Sequence, residues 1–162
     1  MEQNFQKCAS LEVEDVYSQL SGEGKDALAA IMSLQKDIQE NVYGYNFEKL
    51  QERLGDLKKF IDWNEEAIRD EQREFANALG GVYSHGNALW KPWKSKHAEA
   101  NNKSFASLTD NEKLELKYEW IDMLHFFINQ GLAIGLTPSD VVNLYFAKNK
   151  ENRDRQQRVG GY

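Results

Sequence analysis

The chain has 162 residues, a formal net charge of -6 and one cysteine, Cys8. This length predicts one domain with a sizeable core over residues 1–162, and the acidic balance disfavours direct nucleic-acid binding. A single cysteine excludes an intrachain disulfide or a thiolate metal cluster, and the lack of a long apolar run or leader favours a soluble cytoplasmic protein with no membrane partner.

The first half of the chain shows helical periodicity and sparse punctuation, which predict an all-α helical bundle. A first helix is expected from about Lys25 to Val42, where Gly44 ends it. A short helix follows from Asn46, and a long one fills roughly residues 57–79 before Gly80-Gly81. One side of the first helix carries Leu28, Ile31, Gln35, Ile38 and Val42.

The second half contains two helix start signals. Thr109-Asp110-Asn111-Glu112 fits a capping box, and the helix that it starts is bracketed at its end by Gly131 and Gly135. Thr137-Pro138-Ser139-Asp140 places proline at the first helical position. The sequence therefore predicts a last helix that runs to about Gln157.

Two pairs of acidic residues, each three apart, lie in these helical segments: Glu71 with Glu74, and Glu119 with Asp122. At this spacing both carboxylates of a pair share one helix face. The segment Tyr118–Ile128 is otherwise apolar on nearly every side, which predicts a buried helix where an unpartnered carboxylate would be costly. Four converging carboxylates are most simply stabilised by a hard divalent cation, so we predict a Mg²⁺ site between helices.

The long helix contains other acids, and the helical wheel separates them. Its predicted seam consists of two series seven residues apart: Leu54, Ile61, Ile68 and Phe75, and Leu57, Asn64, Glu71 and Ala78. Glu71 replaces a core residue on this seam, and Glu74 flanks it. Glu65 also flanks the seam as a possible extra ligand, whereas Glu66 and Asp70 lie on the far side as solvated charges. The alternative is that all five acids only keep the helix soluble.

The pair on the apolar helix has its own alternative, a buried salt bridge to lysine or arginine. His125 and Asn129 lie about one and two turns beyond Asp122 and could hydrogen-bond a ligand. A lone histidine on an apolar helix is more often a satisfied core residue, and sequence geometry alone favours that interpretation.

The last helix is basic, with five basic and two acidic residues between Lys148 and Arg158. Lys148, Asn152 and Arg155 share one face, which suits a polyphosphate because arginine forks onto two oxygens and lysine acts as a point charge. The alternative is a basic helix end that favours its own dipole.

The motif Glu71-x-x-Glu74 followed by Glu119-x-x-Asp122 resembles the metal motif of the all-α nucleoside triphosphate pyrophosphatases, the group that contains MazG and the dimeric dUTPases. The sequence is similar in particular to the dCTP/dUTP pyrophosphatase branch of T4-like bacteriophages. The segments that carry this similarity are residues 90–94, 114–127 and 144–152, with Arg155-Gln156 and Gly161-Tyr162.

The resemblance implies a homodimer that hydrolyses dCTP, dUTP or both to the monophosphate and pyrophosphate. It implies Mg²⁺ held by Glu71, Glu74, Glu119 and Asp122. It also implies substrate-binding residues: Gln35, His125 and Asn129 at the base, Lys148, Asn152 and Arg155 at the phosphates, and Tyr162 over the nucleotide. Trp90, Trp93 and Lys94 would shape the pocket mouth.

Three other functions stay open from the sequence. A broad-specificity MazG-like enzyme is one, although the longer gap between the acidic pairs favours the dUTPase and phage branch. A ferritin-like di-iron protein is another, but it calls for two Glu-x-x-His motifs, and only Asp122-x-x-His125 comes close. The third is a helical interaction protein whose acidic seam binds a basic partner.

Overall fold

The computed structural model describes residues 12–78, 102 and 104–158, and this part of the chain contains helices and no strand. The all-α fold predicted from periodicity is therefore confirmed. The helices are α1 (Val16–Gly22), α2 (Ala27–Asp37), α3 (Phe47–Gln51), α4 (Leu54–Ala78), α5 (Asp110–Ala133) and α6 (Pro138–Gln157). A π-helical turn, Ile38–Val42, continues α2, and a 3₁₀ turn, Phe105–Ser107, precedes α5.

Side-chain caps fix the start of several helices. The Asn46 side chain accepts a hydrogen bond from the Lys49 N–H at 2.8 Å, which confirms the short helix expected there. At α5, the Thr109 N–H donates to Glu112 Oε2 at 2.7 Å and the Glu112 N–H donates to Thr109 Oγ1 at 3.2 Å. This reciprocal pair is the predicted capping box, and it satisfies amide groups that have no partner within the helix.

The capping box at α6 is equally complete. The Thr137 N–H donates to Asp140 Oδ2 at 3.0 Å, and the Asp140 N–H donates to Thr137 Oγ1 at 3.1 Å. The Thr137 hydroxyl also donates to Asp140 Oδ2 at 2.7 Å, and this hydrogen bond, followed by the one from the Thr137 N–H, lowers the pKa of Asp140. Proline at the first helical position also agrees with the prediction.

Helix ends differ from the predicted bounds in several places. α1 was not predicted, and none of its residues is buried. α4 begins at Leu54 rather than near residue 57. Gly44 and Gly135 follow their helices with φ of +74° and +80°, the left-handed conformation that glycine adopts without strain.

The described residues divide into two compact units. One contains residues 12–15, 61–78, 102 and 104–127, and the other contains residues 16–60 and 128–158. The division falls inside α4 and inside α5, and the single domain expected from the length stays a prediction. None of the helices in the described ranges combines the length and apolar character that crossing a bilayer requires.

The unit of residues 16–60 and 128–158 has an aromatic core. Phe60 makes edge-to-face ring contacts with Tyr45 and Phe47, at centroid distances of 4.8 and 5.8 Å. Ala133 is fully buried in the same cluster, and its carbonyl accepts a hydrogen bond from Gln51 Nε2 at 3.1 Å. This core holds the end of α5 beside α3 and the start of α4.

The unit of residues 61–78 and 104–127 contains the acidic pairs. Asn64 is fully buried and Ile68 is 6% exposed, so the predicted seam of α4 is confirmed at these positions. Trp63 and Phe126 make an edge-to-face contact at 6.0 Å. The Trp63–Phe126 contact joins α4 to α5 within this unit.

One prediction about buried faces is wrong, and another holds only in part. α5 is not buried on nearly every side, because Trp120 and Phe127 are each 52% exposed. On the predicted side of α2 and the π turn that follows it, Gln35 is buried and Leu28 is half-buried, but Ile31, Ile38 and Val42 are exposed. The exposed apolar residues are Ile31, Leu34, Ile38 and Val42, whereas the buried face carries Met32, Gln35 and Gln39.

Candidate metal centre

Three carboxylates come together between α4 and α5. Glu71 lies on α4, Glu119 and Asp122 lie on α5, and one carboxylate oxygen from each lies within 4.8 Å of the other two. Glu119 is buried, and the other two side chains are half-buried. We call Glu71, Glu119 and Asp122 the carboxylate cluster.

The positions of these acids follow from the helices that carry them. Glu71 continues the buried side of α4, seven residues after Asn64 and three after Ile68. Glu119 and Asp122 share a face of α5, one turn beyond the buried side chain of Leu116. Glu71 of α4 therefore lies close to Glu119 and Asp122 of α5.

The pKa values of two carboxylates in the cluster are raised. Burial, followed by the charges of Asp122 and Glu74, raises the pKa of Glu71 from 4.5 to about 7. Burial, followed by the charges of Glu74 and Asp122, likewise raises the pKa of Glu119 from 4.5 to about 7. Both carboxylates are therefore partly protonated near neutral pH unless a cation compensates their charge.

Asp122 responds to the same crowding. Burial raises its pKa, the nearby His125 lowers it, and Glu115 raises it. Apart from His125, the charged groups in the described ranges that act on the three cluster pKa values are all carboxylates. No lysine or arginine among the described residues therefore forms the buried salt bridge that was the alternative for Glu119 and Asp122.

The donor set fits a hard divalent cation. Three carboxylates offer oxygen ligands only, which is the chemistry that Mg²⁺ prefers. A bound cation would favour the ionised forms and offset the repulsion that raises the pKa values. The residues that would hold it are Glu71, Glu119 and Asp122.

Glu74 is the fourth predicted ligand, and its side chain is exposed. Its charge raises the pKa of both Glu71 and Glu119, so its carboxylate lies near the cluster. It does not share the 4.8 Å grouping of the other three. Its role as a ligand stays a prediction.

Three other acids considered as ligands, Glu65, Glu66 and Asp70, engage arginines on the exposed side of α4. Glu65 lies 4.0 Å from the Arg69 guanidinium, and Glu66 lies 2.5 Å from it. Asp70 pairs with Arg73. Glu66 and Asp70 are thus solvated charges, as predicted, while Glu65 lies outside the carboxylate cluster.

The residues predicted to face the base fall in both units. In the unit of residues 16–60 and 128–158, Gln35 and Asn129 are buried, and Gln35 Nε2 donates to Asn129 Oδ1 at 2.7 Å. His125 belongs to the other unit and is exposed. The expectation that His125 is a core residue is therefore wrong.

The predicted phosphate-binding face lies on α6. Lys148 and Asn152 are exposed and Arg155 is half-buried. Arg155 Nε donates to Glu151 Oε1 at 3.0 Å, and an Arg158 nitrogen lies 3.6 Å from Glu151 Oε2. The hydrogen bond from Arg155, followed by the charge of Arg158, lowers the pKa of Glu151. Glu151 therefore orients Arg155 and offsets part of the positive charge.

Four residues from the sequence analysis lie outside the described residues: Trp90, Trp93, Lys94 and Tyr162. Their roles stay predictions.

Sequence reasoning missed two residues near these sites. Glu115 is half-buried and raises the pKa of both Glu119 and Asp122. Its spacing from them, four and seven residues, is the signal that would have found it. Gln39 is buried one turn after Gln35 on the same face of α2, and spacing alone could have indicated it as well.

No protein-family model and no solved structure matches the chain. Three phage proteins are similar to it in sequence. A dCTP pyrophosphatase of Enterobacteria phage T4 is 31% identical over 166 residues, covering 94% of this chain and 96% of that protein. A dCTP pyrophosphatase of Enterobacteria phage LZ5 is 31% identical over 169 residues, covering 96% of this chain and 98% of that protein.

The third relative is a DNA replication protein of Enterobacteria phage T4. It is 31% identical over 160 residues, which cover 91% of this chain and 41% of that protein. In all three comparisons the similarity extends over nearly the whole chain and is not confined to the acidic motifs.

Proposed function

This chain belongs to the family of the phage dCTP pyrophosphatases, and on that premise we propose that it hydrolyses dCTP to dCMP and pyrophosphate with Mg²⁺ as cofactor. The observation that carries the proposal is 31% identity over 94% of this chain to the T4 enzyme of that name. The carboxylate cluster supports it, because metal-assisted phosphoryl chemistry uses such ligands.

The reaction needs a water oxygen to attack the α-phosphorus in line while the bond from that phosphorus to the α–β bridging oxygen breaks. Glu71, Glu119 and Asp122 would hold the cation, with Glu74 as the fourth ligand. Bound Mg²⁺ would supply positive charge to the phosphate oxygens and lower the pKa of water. The fold would supply the positions of these acids.

A carboxylate must also accept the proton of the attacking water. Glu71 and Glu74 are the candidates, and we favour Glu74 because its carboxylate lies outside the 4.8 Å grouping and keeps an oxygen for the proton. No covalent intermediate is required.

Substrate binding would use the remaining predicted residues. Lys148, Asn152 and Arg155 would bind the phosphates, with the guanidinium of Arg155 forking onto two oxygens. Tyr162 would close over the nucleotide. The base would lie against the side chains of Gln35, His125 and Asn129.

The substrate range includes dUTP in this proposal. Cytosine and uracil differ in the donors and acceptors on their Watson–Crick edges, and glutamine or asparagine amides can meet either pattern by flipping. Gln35 and Asn129 are joined by one hydrogen bond, so their amides would have to flip together. Such a coupled pair gives a physical route to accepting both bases.

We further propose a homodimer. In the unit of residues 16–60 and 128–158, large apolar side chains stay exposed on α2 and α6, including Leu34 at 67% and Phe146 at 71%. Exposed apolar surface of this kind commonly marks an interface, and a symmetric pair of chains is its simplest occupant. We expect the dimer to act on the nucleotide pool of the cytoplasm, the host cytoplasm if a phage encodes it.

The test is pyrophosphate release from dCTP, dUTP, dTTP, dATP, dGTP and CTP, each with Mg²⁺ and with EDTA. Metal-dependent release from dCTP, with or without dUTP, is the expected result. Release from every nucleotide would instead favour a MazG-like enzyme. No release from any nucleotide would contradict the proposal and favour a helical interaction protein.

A further inference from the structure

One buried polar atom has no hydrogen-bond partner among the described residues, and it belongs to Gln39. The side chain is 4% exposed, and its Oε1 atom is buried without a donor from residues 12–78, 102 or 104–158. A buried acceptor left in this state destabilises a fold, so native structures keep few of them. Gln39 therefore calls for a ligand that donates a hydrogen bond.

The backbone around Gln39 holds this side chain in place. Gln39 lies in the π-helical turn Ile38–Val42, where the Tyr43 N–H donates to the Ile38 carbonyl at 3.2 Å. The Gln39 carbonyl accepts from the Tyr45 N–H at 2.9 Å. Here the turn presents a buried side-chain amide rather than an apolar residue.

Gln39 shares a helix face with the residue expected to meet the base. It follows Gln35 by four residues, which places the two amides one above the other on α2. Gln35 Nε2 already donates to Asn129 Oδ1 at 2.7 Å, so that amide has a partner within the protein. The acceptor of Gln39 is the one without such a partner in the described part of this unit.

We propose that Gln39 is a specificity-determining residue whose Oε1 accepts a hydrogen bond from the 4-amino group of cytosine. This inference rests on the proposed function and names what selects the base. Cytosine presents a donor at position 4, whereas uracil presents a carbonyl oxygen there. With Oε1 at this position, Gln39 accepts from cytosine, whereas uracil would bring two oxygens face to face unless the Gln39 amide flips, so dUTP should bind more weakly than dCTP.

The test compares wild-type protein with Gln39→Met, which keeps the length of the side chain and removes the amide. The first measurement is calorimetric binding of dCTP and dUTP in EDTA, where metal-dependent turnover cannot occur. We expect the wild type to prefer dCTP and the variant to lose about 10-fold in dCTP affinity, the effect of one hydrogen bond, with dUTP affinity changed little. The ratio of kcat/KM for the two nucleotides with Mg²⁺ should fall by the same factor.

Melting temperature separates a recognition role from a structural one. Replacing an acceptor that has no donor by an apolar side chain should leave the melting temperature of the nucleotide-free protein unchanged or raise it. The matched control is Gln51→Met, which removes the hydrogen bond to the Ala133 carbonyl in the same unit. The control should lower the melting temperature and keep the preference for dCTP.

The outcomes distinguish the two proposals. A wild type that binds dCTP selectively but releases no pyrophosphate contradicts the proposed reaction and leaves Gln39 testable by binding. A Gln39→Met variant that keeps the wild-type preference for dCTP overturns the inference. So does a variant whose affinities for dCTP and dUTP fall equally while its melting temperature also falls. A wild type that binds neither nucleotide in EDTA and releases no pyrophosphate from either with Mg²⁺ overturns both.

Discussion

At the scale of single residues, the proposed metal chemistry depends on the carboxylate cluster. Its three side chains were identifiable from the sequence because two lie three apart on α5 and Glu71 interrupts an apolar seam. Glu115 and Gln39 were not singled out, although their spacing from Glu119 and from Gln35 could have indicated them. Ile31 and Ile38, on the predicted side of α2 and its π turn, are exposed, and only the folded chain shows that the buried side chains there are Met32, Gln35 and Gln39.

Replacing one cluster residue by its amide should abolish catalysis without unfolding the protein. Asp122→Asn keeps the shape of the side chain and removes a charged ligand, so we expect dCTP turnover to fall by roughly 100-fold or more, since loss of an outer-shell partner alone costs 10–100-fold. Initial-rate kinetics with Mg²⁺ measure the effect. Glu66→Gln is the matched control, because Glu66 is an exposed acid paired with Arg69. Equal dCTP turnover by the two variants would contradict the assignment of Asp122 as a metal ligand.

A second substitution tests the arginine on the predicted phosphate face. Arg155→Lys keeps the charge but cannot fork onto two oxygens, so we expect KM for dCTP to rise by about 10-fold with a smaller change in kcat. Arg153→Lys, two residues earlier on α6 and exposed, should leave KM unchanged. Melting temperatures should be alike, because the Arg155–Glu151 pair is partly exposed. A normal KM for Arg155→Lys would place phosphate binding elsewhere.

At the scale of helices, the sequence predicted the helix starts and ends that depend on local side-chain chemistry and not on tertiary packing. Both capping boxes, the start of α3 and the ends at Gly44 and Gly135 follow from side-chain chemistry within a few residues. α1 escaped prediction because it buries no residue and so shows no apolar period. The π turn also escaped, because its hydrogen bonds depend on the folded backbone rather than on residue type.

The capping box of α6 gives a prediction at this scale. Thr137→Ala removes the hydroxyl that accepts from the Asp140 N–H and should cost about 1 kcal/mol of stability. In a protein of this size that corresponds to a fall in melting temperature of roughly 2–4 °C. Thr137→Ser, which keeps the hydroxyl, should behave like the wild type. If alanine and serine gave the same melting temperature, the cap would contribute nothing to stability.

At the scale of the whole molecule, exposed apolar surface bears on assembly. We expect light scattering to give the mass of two 18.7 kDa chains. Leu34→Glu places a charge on the exposed apolar face of α2 and should shift the mass toward one chain, while Ser33→Glu, at an exposed polar position of the same helix, should not. Circular dichroism would verify that both variants remain helical. A wild type that stays monomeric at every concentration would contradict the dimer.

Stability as a function of pH also belongs to the whole molecule, because it sums every ionisation that folding perturbs. Glu71 and Glu119 have pKa values raised from 4.5 to about 7 in the folded chain. Below the lower value both are protonated whether or not the chain is folded, and their contribution to stability is complete. As the pH rises toward 7, the unfolded chain loses these protons first, so the contribution is progressively lost.

The corresponding experiment compares thermal unfolding of the wild type with that of a Glu71→Gln, Glu119→Gln double variant, both without metal, from pH 5 to pH 8. The wild type should lose melting temperature relative to the variant across this range, because only its two carboxylates become charged and repel. Mg²⁺ should then raise the wild-type melting temperature at pH 8 far more than at pH 5, since cation binding requires the ionised carboxylates and stabilises the fold by mass action. Parallel curves for the two proteins, with no gain from Mg²⁺ at pH 8, would mean that the cluster neither carries the predicted repulsion nor binds the cation that relieves it.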